Sequence, residues 1–293
     1  MSRGHADSVL WGDLSRIDVR DALEMKRVFR FFQPDAVMHF AALAYVDESM
    51  REPERYVTHN VGSTQALLEV MRATSVDALV FSSSCAVYGT PRVHYIDEMQ
   101  PTAPINPYGL SKLLCEETIR LYCRLFGMRA TTLRYFNAAG ADPDGILSER
   151  HTPEPHLIPS VVTSWIDGNS LTVNGTDYPT PDGTCIRDYV HVTDLAEAHV
   201  LAIEAVVEAQ DSTVLNLGSG LGSSIKDVID AVSALLGPGP EVRVGPRRAG
   251  DPPRLCADAA MAQEVLGWYP KRSSLQTILA DTVASIRKQR GLL

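Results

Sequence analysis

Tyr108 and Lys112 stand four residues apart in Pro107-Tyr108-Gly109-Leu110-Ser111-Lys112, and on a helix that spacing sends both side chains out on one face. A free phenol titrates near ~10 and is a poor base at neutral pH, but a lysine cation beside it favours the phenolate. Tyr108 is therefore the candidate general base. Ser84 closes the run Ser82-Ser83-Ser84, from which it can hydrogen-bond a reacting hydroxyl and share its proton with the phenol. Proton removal from an alcohol is the chemistry this trio suits. A tyrosine and a lysine so spaced are, alone, more often a helix surface pair. Specificity comes from the order of three segments, Ser82-Ser83-Ser84, then Val87-Tyr88-Gly89, then Pro107-Tyr108-x-x-x-Lys112.

The elements that must position these groups follow from the hydrophobic pattern. Up to about residue 137, short β-branched apolar runs alternate with helical patterns, which predicts β-α-β units in a parallel sheet. Residues 35–42, 78–84 and 130–136 read as buried strands; Tyr56 to Thr74 and Pro107 to Phe126 read as helices, the second opening with the proline that suits a first turn. Ligands of open parallel sheets bind beyond the carboxyl ends of the strands, so Phe40-Ala41-Ala42 and Ser82-Ser83-Ser84 point at a site. From residue 138 the texture turns to prolines, glycines and short segments. The expected architecture is α/β: a Rossmann-like doubly wound parallel sheet, incomplete at its N-terminal side, over 1–138, and a smaller C-terminal α/β substrate domain over 139–293, with the chain crossing back near 188–210.

Composition narrows the ligands. The 293 residues are 45% hydrophobic and 22% charged, as in an ordinary globular protein. No uncharged apolar run approaches the ~18 to 20 residues of a bilayer span, and no secretory h-region opens the chain, so a cytoplasmic protein without membrane partners is expected. A net charge of −9 repels nucleic acid, so an anionic ligand must be held by a few local arginines. Five cysteines form no C-x-x-C, and the eight histidines are scattered without a metal-binding pair such as H-E-x-x-H. No metal site is expected, and His191 and His199 read as structural.

Taken together with His39-Phe40-Ala41-Ala42, Asn60-Val61-Gly62-Ser63-Thr64, Leu133-Arg134-Tyr135-Phe136-Asn137, His156-Leu157-Ile158-Pro159 and the string from Gly175 to Val192, the catalytic segments resemble the extended short-chain dehydrogenases, and in particular their UDP-glucose 4-epimerase branch. The resemblance covers nearly the whole chain and implies C4 epimerisation of a UDP-hexose through a 4-keto sugar, with tightly bound NAD. It implies catalysis by Ser84, Tyr108 and Lys112, and NAD contacts from Asp18 and Val19 beside the adenine and from Phe40, Ala41, Ala42, Ser82, Tyr108, Lys112 and Phe136. On the substrate side it implies Arg187 and Arg248 on the diphosphate, Asn137 and Ser84 on phosphate or sugar, His156, Leu157, Thr172 and Asn174 against the uridine, Asp251 on a ribose hydroxyl and Leu255 near the sugar 2-substituent. Asn174 stands where many relatives carry an aromatic, and His59 where an asparagine is common. Related dehydratases and decarboxylases carry an acidic residue just before V-Y-G; Cys85-Ala86 stand here, which favours a reaction limited to proton and hydride transfer. A homodimer through the Tyr108 helix and its neighbour is also implied.

The family opens with a strand, a G-x-x-G-x-x-G turn, a helix and a second strand, and this sequence contains no such glycine pattern. The expectation is that about 30 residues of strand-helix-strand precede Met1 in a longer natural chain, because the turn and the helix N-terminus after it hold the pyrophosphate. Two rival readings keep the same motifs: a 4-epimerase of UDP-pentoses or UDP-N-acetylhexosamines, Leu255 being intermediate in size, and a truncated, non-catalytic UDP-sugar binding protein.

Overall fold

The structure is a computed structural model that describes residues 3–208, 212–248 and 250–292. In chain order the elements are α1 (Ala22–Phe32), β1 (Ala36–His39), α2 (Val46–Arg51), α3 (Pro53–Ala73), β2 (Ala78–Ser84), α4 (Pro107–Phe126), β3 (Arg129–Tyr135), β4 (Asn137–Ala139), α5 (Leu157–Asp167), β5 (Leu171–Asn174), β6 (Ile186–Arg187), β7 (Tyr189–His191), α6 (Val192–Glu208), β8 (Thr213–Leu217), β9 (Ser223–Ser224), α7 (Ile225–Leu236), β10 (Val242–Gly245), β11 (Arg254–Leu255), α8 (Ala260–Leu266) and α9 (Leu275–Gln289). The chain divides into two compact units, one of Met1–Gly89, Pro101–Arg134 and His199–Leu215, the other of Thr90–Gln100, Tyr135–Ala198 and Asn216–Leu293. Among the described residues no helix is long and apolar enough to cross a membrane.

The first unit is built on a sheet of order β1-β2-β3-β8, with β1 and β2 parallel and His39 opposite Phe81. Its core is Phe29 of α1, Leu67, Leu68 and Met71 of α3, Leu79 and Phe81 of β2, and Ile119 of α4, each worth roughly 1.5–3 kcal/mol in removal from water. The helices start where the sequence supplies caps. Asp21 accepts from Leu23 N and Glu24 N, both at 3.1 Å, and Asn106 accepts from Gly109 N at 2.8 Å just before Pro107. Gly127, left-handed at φ 68°, ends α4. β1 is shorter than the sequence pattern suggests, because the chain leaves the sheet after His39 and residues 40–45 form a loop. Residues 9–21 hold no helix or strand; Ile17 and Val19 pack on the core, while Trp11 and Phe31 are exposed.

His39 is buried beside Thr64, its Nε2 3.2 Å from Thr64 Oγ1. Burial, with Lys112 nearby, pushes its pKa down to about 3 from the ordinary 6.5. The unfolded chain therefore binds a proton near pH 6.5 that the fold refuses, and stability falls as pH drops below that value, by about 2 kcal/mol at pH 5 from this group. In urea denaturation at pH 7 and pH 5, His39→Gln is expected to lose about that much less than the parent on acidification; equal losses would remove His39 from the account.

The second unit carries three small sheets, β4 with β7, β10 with β5, and β11-β6-β9. Ile158, Val161 and Val162 of α5 pack with Val228 and Val232 of α7 and with Ile278 and Leu279 of α9. A reciprocal cap starts α7, Ser224 Oγ accepting from Asp227 N and Asp227 accepting from Ser224 N. The buried Asp188 carboxylate, between β6 and β7, accepts backbone N–H groups of Ser219 (2.7 Å), Gly220 (2.9 Å) and Ala257 (3.0 Å), tying three loops to one point. His191 is buried with Nε2 3.1 Å from Asp281, a structural contact.

Candidate active site

β2 ends in Ser82, Ser83 and Ser84, and a short 3-10 turn, Cys85–Tyr88, carries the chain on, capped by Ser84 Oγ accepting from Ala86 N at 3.2 Å. The first turn of α4 packs directly on it. A Cβ on Gly109 would lie 2.4 Å from Ala86 O, so only glycine lets the helix bring Tyr108 this close to Ser84. The two hydroxyls are hydrogen-bonded. Lys112, buried one turn further along, donates to Ser82 O at 2.7 Å and lies 5.0 Å from the centre of the Phe81 ring. Ser84, Tyr108 and Lys112 are thus assembled as their spacing predicts.

Burial dominates the electrostatics of the protein without its cofactor. Burial pushes the Tyr108 phenol up to about 12, with the Ser84 hydrogen bond opposing, and burial pushes Lys112 down to about 8, with Cys115 and Glu116 opposing. The ammonium faces a backbone carbonyl, and loss of water outweighs any help it gives the phenol. In the protein alone Tyr108 is a protonated acid.

Beneath this trio lies a polar network that spacing alone does not reveal. Arg134 of β3 is buried and makes a two-pronged ion pair with the equally buried Glu116 of α4, Nε to Oε1 at 3.0 Å and Nη2 to Oε2 at 2.6 Å. Its Nη1 donates to Tyr88 Oη at 2.9 Å, and Ser83 Oγ donates to Glu116 Oε1 at 2.5 Å. Burial opposes the charge on Arg134, but Glu116 outweighs it and raises its pKa. One carboxylate thus joins β2, α4 and β3. Arg134 belongs to the Leu133–Asn137 string, which was its only signal; Glu116, one turn past Lys112, had none beyond that spacing.

The cofactor candidates of the first unit are placed unevenly. Phe40 and Ala41 are exposed and Ala42 partly so, at the carboxyl end of β1, with the Phe40 ring 4.7 Å from that of His199. Asp18 is exposed and held by Arg20, whose Nε and Nη2 donate at 3.0 and 2.6 Å; these hydrogen bonds keep its carboxyl well below the usual range. Val19 packs against the core. The strand-end residues fit a nicotinamide dinucleotide at the sheet's carboxyl edge, while no G-x-x-G-x-x-G is present for a pyrophosphate.

In the second unit Phe136 is buried, its N–H on Leu217 O, and Asn137 begins β4 with its N–H on Asp188 O at 2.8 Å. His156 stands at the N-cap position of α5, its side chain making no capping hydrogen bond, and Leu157 is the first residue of the helix. Thr172, exposed, and Asn174, half-buried, lie on β5 opposite Arg243 and Gly245 of β10. Arg187 on β6 pairs in register with Leu255 on β11, and both are buried. Arg187 donates to Pro252 O at 2.7 Å and is ion-paired with Asp251, so those two candidates form one charged unit. Arg248 is exposed in the loop after β10. One grouping escaped the histidine reading: His151 and His156, scattered in sequence, meet Glu149 and Glu154 in space.

The family model described as NAD dependent epimerase/dehydratase family matches residues 2–218. A UDP-glucose 4-epimerase of Rhizobium meliloti (strain 1021) is 43% identical over 272 residues, 92% of this chain and 83% of that protein. The one from Streptomyces lividans is 46% identical over 266 residues, 90% of this chain and 79% of that protein. Among solved structures, UDP-glucose 4-epimerase from Brucella ovis in complex with NAD superposes with a TM-score of 0.93 at 47% identity, over 97% of this chain and 87% of that one. The Bifidobacterium longum enzyme in complex with NAD+ and UDP gives 0.89 at 38% identity, over 95% and 84%. Motifs, fold and relatives agree, and the chain belongs to the NAD dependent epimerase/dehydratase family.

Proposed function

We infer that this chain interconverts UDP-galactose and UDP-glucose by inverting C4 of the hexose, with NAD as its cofactor. The observation that carries the reading is the hydrogen-bonded pair Ser84–Tyr108 at the end of β2, with Lys112 beneath it on the same helix. Tyr108 takes the proton of the sugar 4-hydroxyl and returns it, and Ser84 holds that hydroxyl and shares the proton. NAD, when bound, supplies the acceptor for the C4 hydrogen and a positive ring that favours the phenolate. Lys112, fixed by Ser82 O, adds positive charge beside the phenol once that cofactor is in place. Cys85 and Ala86 offer no carboxylic acid at the point where an elimination or decarboxylation would need one, which keeps the 4-keto sugar on the epimerisation route.

For the nucleotide, the reading assigns Arg187 and Arg248 to the diphosphate, since a guanidinium pairs with phosphate oxygens through a planar fork. Asp251 is assigned to a ribose hydroxyl; Asn137 to phosphate or sugar; His156, Leu157, Thr172 and Asn174 to the uridine; and Leu255 to the sugar 2-substituent. Asp18, Val19, Phe40, Ala41, Ala42, Ser82 and Phe136 are assigned to NAD. A homodimer completes the reading. Leu110, Leu114, Leu121 and Leu125 form an exposed stripe along α4 of the kind a second copy covers, and a single-chain mass in light scattering would refute it. The test of function is proton NMR of the purified protein with UDP-galactose and added NAD. The anomeric signal of UDP-glucose should grow until the two sugars equilibrate, and an unchanged spectrum at high enzyme concentration would overturn the assignment.

A further inference from the structure

Between β4 and α5 four side chains with metal-binding atoms converge. Glu149, His151, Glu154 and His156 each offer one such atom, and all four lie within 4.8 Å of one another. His151 Nδ1 is 3.1 Å from Glu149 Oε1 and 3.5 Å from Glu154 Oε2; His156 Nδ1 is 3.4 Å from Glu154 Oε1 and contacts Glu149 Oε1. Both imidazoles therefore present the same nitrogen to the same two carboxylates, with the rings edge to face at 5.2 Å. A single ion pair needs one histidine and one carboxylate. Two of each, aimed at a common centre, make a pocket for a cation.

We propose that Glu149, His151, Glu154 and His156 form a binding site for a divalent late-transition ion of the Zn2+ class. Bonds of about 2.0–2.2 Å put the donor atoms of a tetrahedral zinc roughly 3.3–3.5 Å apart. The three distances of 3.1, 3.4 and 3.5 Å are already near that separation, and the wider ones close by side-chain rotation. Two imidazoles select against Ca2+ and Mg2+, which prefer all-oxygen shells. Two carboxylates with two neutral imidazoles leave two negative charges, which the ion neutralises. Three of the four side chains are largely covered while His156 is 46% accessible, leaving a side open for entry. The occupied site staples residues 149–156 to the start of α5.

The test strips the purified chain with EDTA, removes the chelator and titrates Zn2+ by calorimetry at pH 7.5. One Zn2+ per chain with a Kd of about 1 μM or tighter is the expected result. Co2+ should give visible d–d bands without near-ultraviolet thiolate charge transfer, because no cysteine is among the four ligands. The double variant Glu149→Gln, His151→Asn should weaken binding by about tenfold or more while melting as the metal-free parent does; should it fail to fold, His151→Asn alone serves. Absence of binding heat, a sulfur-dominated Co2+ spectrum, or unchanged Zn2+ affinity in a folded variant would each overturn the proposal.

Discussion

Tyr108→Phe is expected to lower the turnover of UDP-galactose roughly a thousandfold, within the range for loss of a positioned acid-base group and equal to about 4 kcal/mol of barrier. The substitution removes one oxygen and one hydrogen bond, that to Ser84, so the melting temperature should stay within about 3 °C of the parent, as a loss of ~1 kcal/mol allows. The pH profile sharpens the assignment. The active form of a general base is the deprotonated one, and burial raises this phenol rather than lowering it. Turnover by the parent chain should therefore climb with pH through the neutral range, and the climb should vanish in the variant. Near-normal turnover in Tyr108→Phe, or a parent rate that falls as pH rises, would take the base role away from Tyr108.

The second large effect is on stability. Arg134→Leu strands the buried Glu116 with, among the described residues, only Ser83 Oγ hydrogen-bonded to its carboxyl, and breaking such a pair costs about 3–5 kcal/mol, or a fall of about 10 °C in melting temperature for a chain of this size. The double variant Arg134→Leu, Glu116→Leu removes the stranded charge and should recover most of that loss, because apolar replacements of a buried pair are often neutral. Calorimetry of the two single variants and the double variant measures the coupling. If the double variant were as unstable as the sum of the singles, the pair would have no special coupling and the network would be an accident of packing.

The placement of Ser84, Tyr108 and Lys112 was legible because local rules determine it: a four-residue helical spacing for Tyr108 and Lys112, and a strand end for Ser84. Helix α4 was legible from Pro107 to Phe126, its opening proline being a start signal in itself. The ion pair of Arg134 with Glu116 was not, because its partners sit on different elements and nothing in the run of residues between them reports the contact. The upward shift of Tyr108 in the protein without its cofactor was not legible for the same reason. Spacing puts a cation on the same face, but the water withheld from the phenol depends on everything else that packs there. The 40–42 segment shows a third limit. Its apolar residues extend the strand pattern of β1, yet the chain turns away after His39, because Leu43 takes its backbone hydrogen bonds from Asn60 instead of from a neighbouring strand. The short β5, which carries Thr172 and Asn174, pairs with β10 far along the chain, Leu171 opposite Val242, a separation that periodicity does not reach.

That Asn60 amide ties more than one piece. It accepts from Leu43 N at 2.8 Å, donates to Leu43 O at 2.9 Å, and donates to Ser111 Oγ on the catalytic helix at 2.9 Å. The turn after β1 and the helix that bears Tyr108 are therefore geared together through one buried side chain. A displacement of that turn that keeps these hydrogen bonds is therefore passed to the helix that positions the phenol.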